Sequence, residues 1–254
     1  HTPLMAPQEL VAKYKKKAEG FDNKRNEFLN AERAGMVEKL DDSVGRIMGK
    51  LEQLGIADET VVILTGDNGG DMDQTTAGLR GYKAFSHEGG VREPFVVKWP
   101  GRTKPGSVCE EMVIGTDFYP TMLEMAGLPA KPDQHQDGVS LVSLLDGSSS
   151  ELERDALYWH YPHYHRTMPY GAIRRGDMKL IEFFEDGKLE LYDLANDPNE
   201  TTNLAARQPE KARQLLEQLK AWRSDVGAQM MTDNPKFDPY REKRKKQGKK
   251  QGKK

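Results

Sequence analysis

The chain has 254 residues, with 38 Lys plus Arg against 40 Asp plus Glu, six His, one Cys and 36% hydrophobic residues. That length suits one large domain, or a domain with a small appendage, and no run approaches the roughly 20 apolar residues of a membrane-spanning helix. The lone Cys109 excludes an internal disulfide, and no Cys/His cluster has zinc spacing.

The net charge of −2 is unevenly placed. Residues 236–254 carry ten Lys or Arg against Asp238 and Glu242, a net +8 that leaves the rest of the chain at −10. An acidic body argues against a nucleic-acid partner, and the closing run KKQGKKQGKK reads as a disordered, solvated tail rather than a polyanion-binding arm. The chain opens at His1 with neither an initiator Met nor a charged-then-apolar leader, so residues upstream of it are expected.

In chain order, Pro7 and the basic stretch after it predict a short helix. Met36, Leu40, Val44, Ile47, Leu51 and Leu54 then recur at helical spacing, an apolar stripe that Gly55 ends. Thr60 to Thr65 (TVVILT) is β-branched without polar alternation, the pattern of a strand covered on both faces in a largely parallel sheet. Residues 66–94 hold seven glycines and no periodicity; so long a loop in a compact domain points to function. Phe95 to Trp99 reads as a second buried strand, Asp117 to Met125 as a helix capped by Thr116, and Val139 to Leu145 as a helical turn. Beyond Ser150 the texture changes. Residues 156–161, 171–174, 179–184 and 189–194 are short strands of an antiparallel meander with a turn at Glu185-Asp186-Gly187, and Pro209 to Met231 closes as an amphipathic helix. The division expected is an α/β part over residues 1–150, a small sheet-plus-helix part over 151–235, and the tail 236–254.

Two stretches carry chemistry. TGDNGG, Thr65 to Gly70, follows the first buried strand, where α/β folds gather ligands. Asp67 and Asn68 offer the hard oxygens that calcium or magnesium prefers, or else they close a glycine-rich turn on their own backbone. GLRGYKAFSHEGGVREP, Gly78 to Pro94, then sets cations on a glycine-rich loop, where Lys suits an oxyanion such as sulfate or phosphate. Arg80, Glu88 and Arg92 are expected to pair with one another and hold the loop, which leaves Lys83 as the ligand candidate.

TGDNGG followed by LRGYKAFSHEGGVREP resembles the type I, formylglycine-dependent sulfatases of the alkaline-phosphatase-like superfamily. GTDFYPTMLEMAGLP, Asp137 to Leu141, RRGDMKLI and ELYDLANDPNETTNLA resemble that family in the same order, to about Met231. The resemblance implies an alkaline-phosphatase-like fold, a mainly parallel sheet flanked by helices with a small C-terminal antiparallel sheet and packed helix. It also implies a sulfuric ester hydrolase acting on a sulfated carbohydrate or aryl sulfate, exported to the periplasm or outside the cell. Asp67 and Asn68 match the family pair that ligates one calcium ion, Lys83 matches the lysine that contacts the sulfate, and His1 is similar to the histidine that helps protonate the leaving alcohol. These roles are chemically consistent, since cations stabilise a transferring sulfuryl group and histidine supplies a proton.

The chain also departs from the family. The formylglycine nucleophile arises from a Cys/Ser-x-Pro-x-Arg motif that does not occur here, and Cys109, in Val-Cys-Glu-Glu-Met, has neither the Pro nor the Arg. The family's Asp-Asp pair is missing too, because Asp41-Asp42 lies on the amphipathic helix as a solvated face. The expectation is a C-terminal half whose nucleophile and remaining calcium ligands lie upstream of His1, inactive by itself. His160 and His163, in Trp159 to His165, are read as substrate-pocket residues, against a strand with one packed and one solvated side. A phosphodiesterase or phosphonate hydrolase of the same superfamily, or a non-catalytic remnant that binds sulfated glycans, are the competing readings. Oligomeric state is not legible.

Overall fold

The computed structural model describes residues 3–19, 30–71 and 76–236. His1 and the basic tail from residue 237 onward, which carry two of the expectations above, lie outside them.

Helix α1 (Gln8–Ala18) follows Pro7, which serves as its N-cap rather than a residue of its first turn. Helix α2 (Ala31–Gln53) starts where the Asn30 side chain accepts the Arg33 N–H at 2.7 Å, and Gly55 terminates it with φ of +70°. The two helices meet at Gly35, where a Cβ would come within 3.2 Å of the Leu10 Cβ and 2.7 Å of that of Ala6, just before α1. None of the predicted stripe is fully buried: Met36, Val44 and Leu51 are half-buried, and Leu40, Ile47 and Leu54 are each more than half exposed.

Strands β1 (Val62–Thr65) and β2 (Phe95–Lys98) correct an expectation. They pair antiparallel, Val62 with Lys98 through Thr65 with Phe95, and among the described residues each has only the other as a sheet neighbour. Leu64 and Val96 are 44% and 59% exposed. An apolar run without alternation marks a strand built to be covered on both faces, but it does not specify which strands lie beside it or in which direction.

Between these strands sits a single helical turn, α3 (Glu88–Val91). Helix α4 (Phe118–Met125) is led in by a tight turn at Gly115–Asp117, and its cap is Asp117 rather than Thr116. The Asp117 carboxylate is fully buried, accepts the N–H groups of Ile114 and Val139, and pairs with Arg154 at 2.9 Å. The short α5 (Val142–Leu145) precedes the meander.

The meander β3 (Leu157–Tyr161), β4 (Tyr170–Arg175), β5 (Met178–Phe183) and β6 (Leu189–Asp193) is antiparallel in chain order, as its sequence predicts. Because side chains alternate between faces, the register sorts the sheet into two sides. Ile173, Leu180 and Leu191 form one cross-strand row and pack on Ala212, Leu215 and Leu219 of helix α6 (Pro209–Asp225). The opposite side carries Ala172, Ile181, Phe183 and Tyr192, but also Arg174, Lys179 and Glu190. That mixed face receives the glycine-rich segment.

Leu219 is fully buried in the α6 row. Leu219→Ala is expected to cost about 2–5 kcal/mol, the usual range for such a cavity. Urea denaturation followed by the fluorescence of Trp222, which stacks on Tyr158 at 4.8 Å, measures it.

Candidate functional site

The two chemistry-bearing loops are joined by their backbones. The Gly69 N–H donates to the Gly90 carbonyl at 3.1 Å, and the Lys83 N–H donates to the Gly70 carbonyl at 2.7 Å. A Cβ on Gly69 would lie 2.0 Å from the Gly89 carbonyl oxygen, and one on Gly90 would lie 2.2 Å from that of Phe85. No side chain fits at either position, so glycine is required for the approach. The Asp67-Asn68 loop and the Lys83 loop therefore form one block.

Asp67 is exposed at the end of β1, and Asn68 beside it turns its amide N–H toward Asp67 Oδ1 at 3.1 Å. Lys83 is half-buried, and its ammonium has no hydrogen-bond or ion-pair partner among the described residues. The Glu93 carboxyl lies against Gly66, and its pKa is raised by burial and then by the negative charge of Asp67. Hard oxygens crowded by like charge favour a cation there, and calcium fits that donor set. Calcium takes six to eight oxygens, however, and no group of three His, Cys, Asp or Glu suited to a metal occurs among the described residues. Asp67 and Asn68 alone could supply only part of such a shell.

His160 and His163 are placed differently from one another. His160 Nε2 meets the Gln229 carbonyl at 2.8 Å and its ring lies 5.6 Å from Phe184, so it joins β3 to the segment after α6. His163 is exposed, edge-on to Tyr161. The residue of this loop that reaches the site block is Arg166, which the sequence reading passed over. Its guanidinium donates to the Asp71 carbonyl at 2.5 Å and lies over the Tyr82 ring at 5.6 Å, beside Lys83. Asp71 also pairs with Arg33 of α2 at 3.0 Å.

Behind Lys83 the expected Arg80–Glu88–Arg92 pairing is replaced by a clamp to the meander. Arg80 donates to the Tyr192 hydroxyl, donates to the Glu200 carbonyl at 2.9 Å and lies 3.5 Å from Glu190. Glu88 receives the Lys179 ammonium at 2.8 Å, and Lys179 also lies 3.1 Å from Glu200. His87 Nε2 meets Glu190 at 3.0 Å. Lys179 and Glu200 have no exposed surface and Glu88, His87 and Glu190 almost none. The loop's charges are held, but by residues about a hundred positions away. The available sequence signal was a lysine inside the apolar run of β5 and a glutamate inside that of β6, since buried charges require partners.

This block and its clamp stand in a chain that matches known family models. One described as N-sulphoglucosamine sulphohydrolase, C-terminal, matches residues 81–225, and one described as Sulfatase matches residues 1–128. A sulfatase of Formosa agariphila is 39% identical over 247 residues, covering 87% of this chain and 44% of the relative. Human arylsulfatase A is 33% identical over 221 residues, covering 75% and 43%. A solved structure described as bound to its substrate D-glucosamine-2-N,6-O-disulfate aligns with a TM-score of 0.68 at 28% identity, over 85% of this chain and 45% of that one. A phosphonate monoester hydrolase from Silicibacter pomeroyi shares the fold, with a TM-score of 0.63 at 21% identity over 82% of this chain and 43% of its own. The chain belongs to the sulfatase family and has its alkaline-phosphatase-like fold. It spans less than half the length of each of these relatives.

Hydrogen bonds from His87, Lys188 and Tyr192 overcome burial and hold the Glu190 carboxyl far below the usual carboxylate range. A depressed pKa gives stability that is present above the unfolded value of about 4.3 and is lost as pH falls below it. Glu190→Gln is therefore expected to flatten the acid limb of a thermal-midpoint-versus-pH curve. An unchanged acid limb would show that Glu190 does not carry that linkage.

Proposed function

We propose that this chain is the sulfate- and calcium-binding part of a sulfuric ester hydrolase acting on a sulfated carbohydrate. The observation that carries the reading is the Lys83 ammonium, which has no partner among the described residues, on a loop joined by two backbone hydrogen bonds to the loop bearing Asp67 and Asn68. The family match supports hydrolysis of a sulfate ester, and the carbohydrate is supported by two relatives. One is an N-acetylglucosamine-6-O-sulfatase of Bacteroides thetaiotaomicron, 32% identical over 71% of this chain and 33% of its own length. The other is the disulfated-glucosamine complex.

Lys83 would hold a sulfate oxygen by charge and counter the negative charge that grows as the ester bond breaks. His1 is assigned proton delivery to the departing alkoxide oxygen. Asp67 and Asn68 would hold calcium, whose positive charge supplements that of Lys83 at the sulfate. The nucleophile is assigned to the family's formylglycine, because Cys109 is exposed and lacks the surrounding motif. Export to the periplasm or beyond the cell is part of this proposal.

Assay of the complete protein on sulfated saccharides and on aryl sulfates tests it. Lys83→Ala and Asp67→Ala are each expected to lower kcat/KM by about a hundredfold to a thousandfold, as loss of one charge-stabilising group does. Full activity in both variants overturns the assignment, and higher turnover of phosphodiesters or phosphonates than of sulfates favours the phosphoryl reading. Calcium should also raise the thermal midpoint of the wild-type protein and leave that of Asp67→Ala unchanged.

A further inference from the structure

The loop that carries Lys83 is gripped on both flanks by one residue. Glu200 accepts the Arg80 guanidinium through its own carbonyl at 2.9 Å, three positions before Lys83. Its carboxylate accepts the Glu88 N–H at 2.7 Å, five positions after Lys83. Between those two points the loop closes on itself, with the Gly89 N–H donating to the Arg80 carbonyl at 2.8 Å and the Phe85 N–H to that of Tyr82 at 2.9 Å. The other carboxylate oxygen of Glu200 lies 3.1 Å from Lys179, which is fully buried and also bonds Glu88.

Glu200 itself adopts φ of +54°, a conformation that L residues other than Asn and Asp rarely take. Such a backbone persists where surrounding contacts over-determine it. Here they do: the Glu200 N–H donates to the Asp197 carbonyl at 3.0 Å, and the Asp197 carboxylate caps the N–H groups of Thr201 and Thr202. The turn is built to present carbonyl and carboxylate of one residue to the same loop.

We propose that Glu200 is a positioning residue for Lys83, acting through Arg80 and Glu88, which makes the C-terminal meander part of the sulfate-binding machinery rather than an appendage. The proposal rests on the sulfatase reading. It assigns no contact between Glu200 and substrate; Glu200 sets where the ammonium stands when the sulfate arrives.

A double-mutant cycle on the complete protein tests this. Glu200→Asn keeps a polar residue that tolerates the left-handed backbone but is one methylene too short to reach the Glu88 N–H. It is expected to lower kcat about a hundredfold, the scale of an ångström-sized misplacement, with a smaller change in KM. In a Lys83→Ala background the same substitution should cost less than about threefold, because residues acting through one another are not additive. Activities are compared per folded molecule, at temperatures below each thermal midpoint. Equal losses in both backgrounds overturn the positioning role while leaving the sulfatase reading intact. Full activity of Lys83→Ala overturns this proposal, and full activity of Asp67→Ala as well overturns the sulfatase reading. Should Glu200→Asn fail to fold, Arg80→Lys, altered at the solvent-facing flank, keeps the charge but loses the guanidinium, which bonds Tyr192 and the Glu200 carbonyl through one nitrogen and faces Glu190 with another. It is expected to show the same non-additivity with a loss of about tenfold.

Discussion

A lysine ammonium with no access to water must be matched by anions, or the chain cannot fold around it in charged form. Lys179 meets that requirement with Glu88 and Glu200, which lie far apart in sequence and on opposite sides of β5 along the chain. Much of the site's organisation depends on the arrangement. Bringing Glu88 to Lys179 brings the glycine-rich loop against the mixed face of the meander. Bringing Glu200 there places its carbonyl under Arg80. The adjacent cluster of His87, Glu190, Tyr192 and Arg80 extends the same contact along the sheet. A buried ion group of this kind adds little net stability over a well-packed apolar one, but it is intolerant of misalignment. Its value to the protein lies in fixing one relative placement of loop and sheet.

What the sequence made legible follows from how local each signal is. The spacing of Leu215 and Leu219 with Ala212 gave α6, although it ends at Asp225 rather than Met231, and the short strand-like runs of 156–194 with their turn signal gave the meander, because both patterns are written within a few residues of the structure they describe. The apolar run 61–64 gave a strand but misled about its sheet, since hydrophobicity reports covering rather than pairing. Asp67, Asn68 and Lys83 could be proposed from sequence because glycines flank them and because their order matches a family motif; the structure shows that their two loops are joined. The partners of Arg80 and Glu88 were not legible: charge pairs carry no distance information, and three nearby charges in one loop offered a plausible closed set. Register supplies the missing rule. Lys179, Glu190 and Tyr192 fall on one face of the sheet once the pairing of β5 with β6 is known.

The exposed apolar surfaces form a pattern of their own. Leu40, Ile47 and Leu54 recur every seven residues along α2, while Leu64 and Val96 open outward from the β1–β2 pair. Isolated exposed leucines are ordinary, but a helix stripe together with an unshielded two-stranded sheet marks surface made to be covered. Among the described residues the meander and α6 have no comparable stripe, only Tyr164 in the β3–β4 connector and Val226 and Met230 beyond the helix end. The matched region covers less than half of each relative's length, so the relatives have further chain with which to cover such a face.

The contact of Gly69 with Gly89 and Gly90 leaves less room than a methyl group needs. Two loops meshed so tightly behave mechanically as a single casting: neither can shift to suit a new ligand without carrying the other along. Under the proposed sulfatase function, such a block would have a fixed grip on the anion and would leave adaptation to the rest of a substrate to other parts of the protein. The exposed connector from Pro162 to Thr167, tied down at Arg166 yet carrying His163, Tyr164 and His165 into solvent, is built from parts that can be exchanged without disturbing that grip.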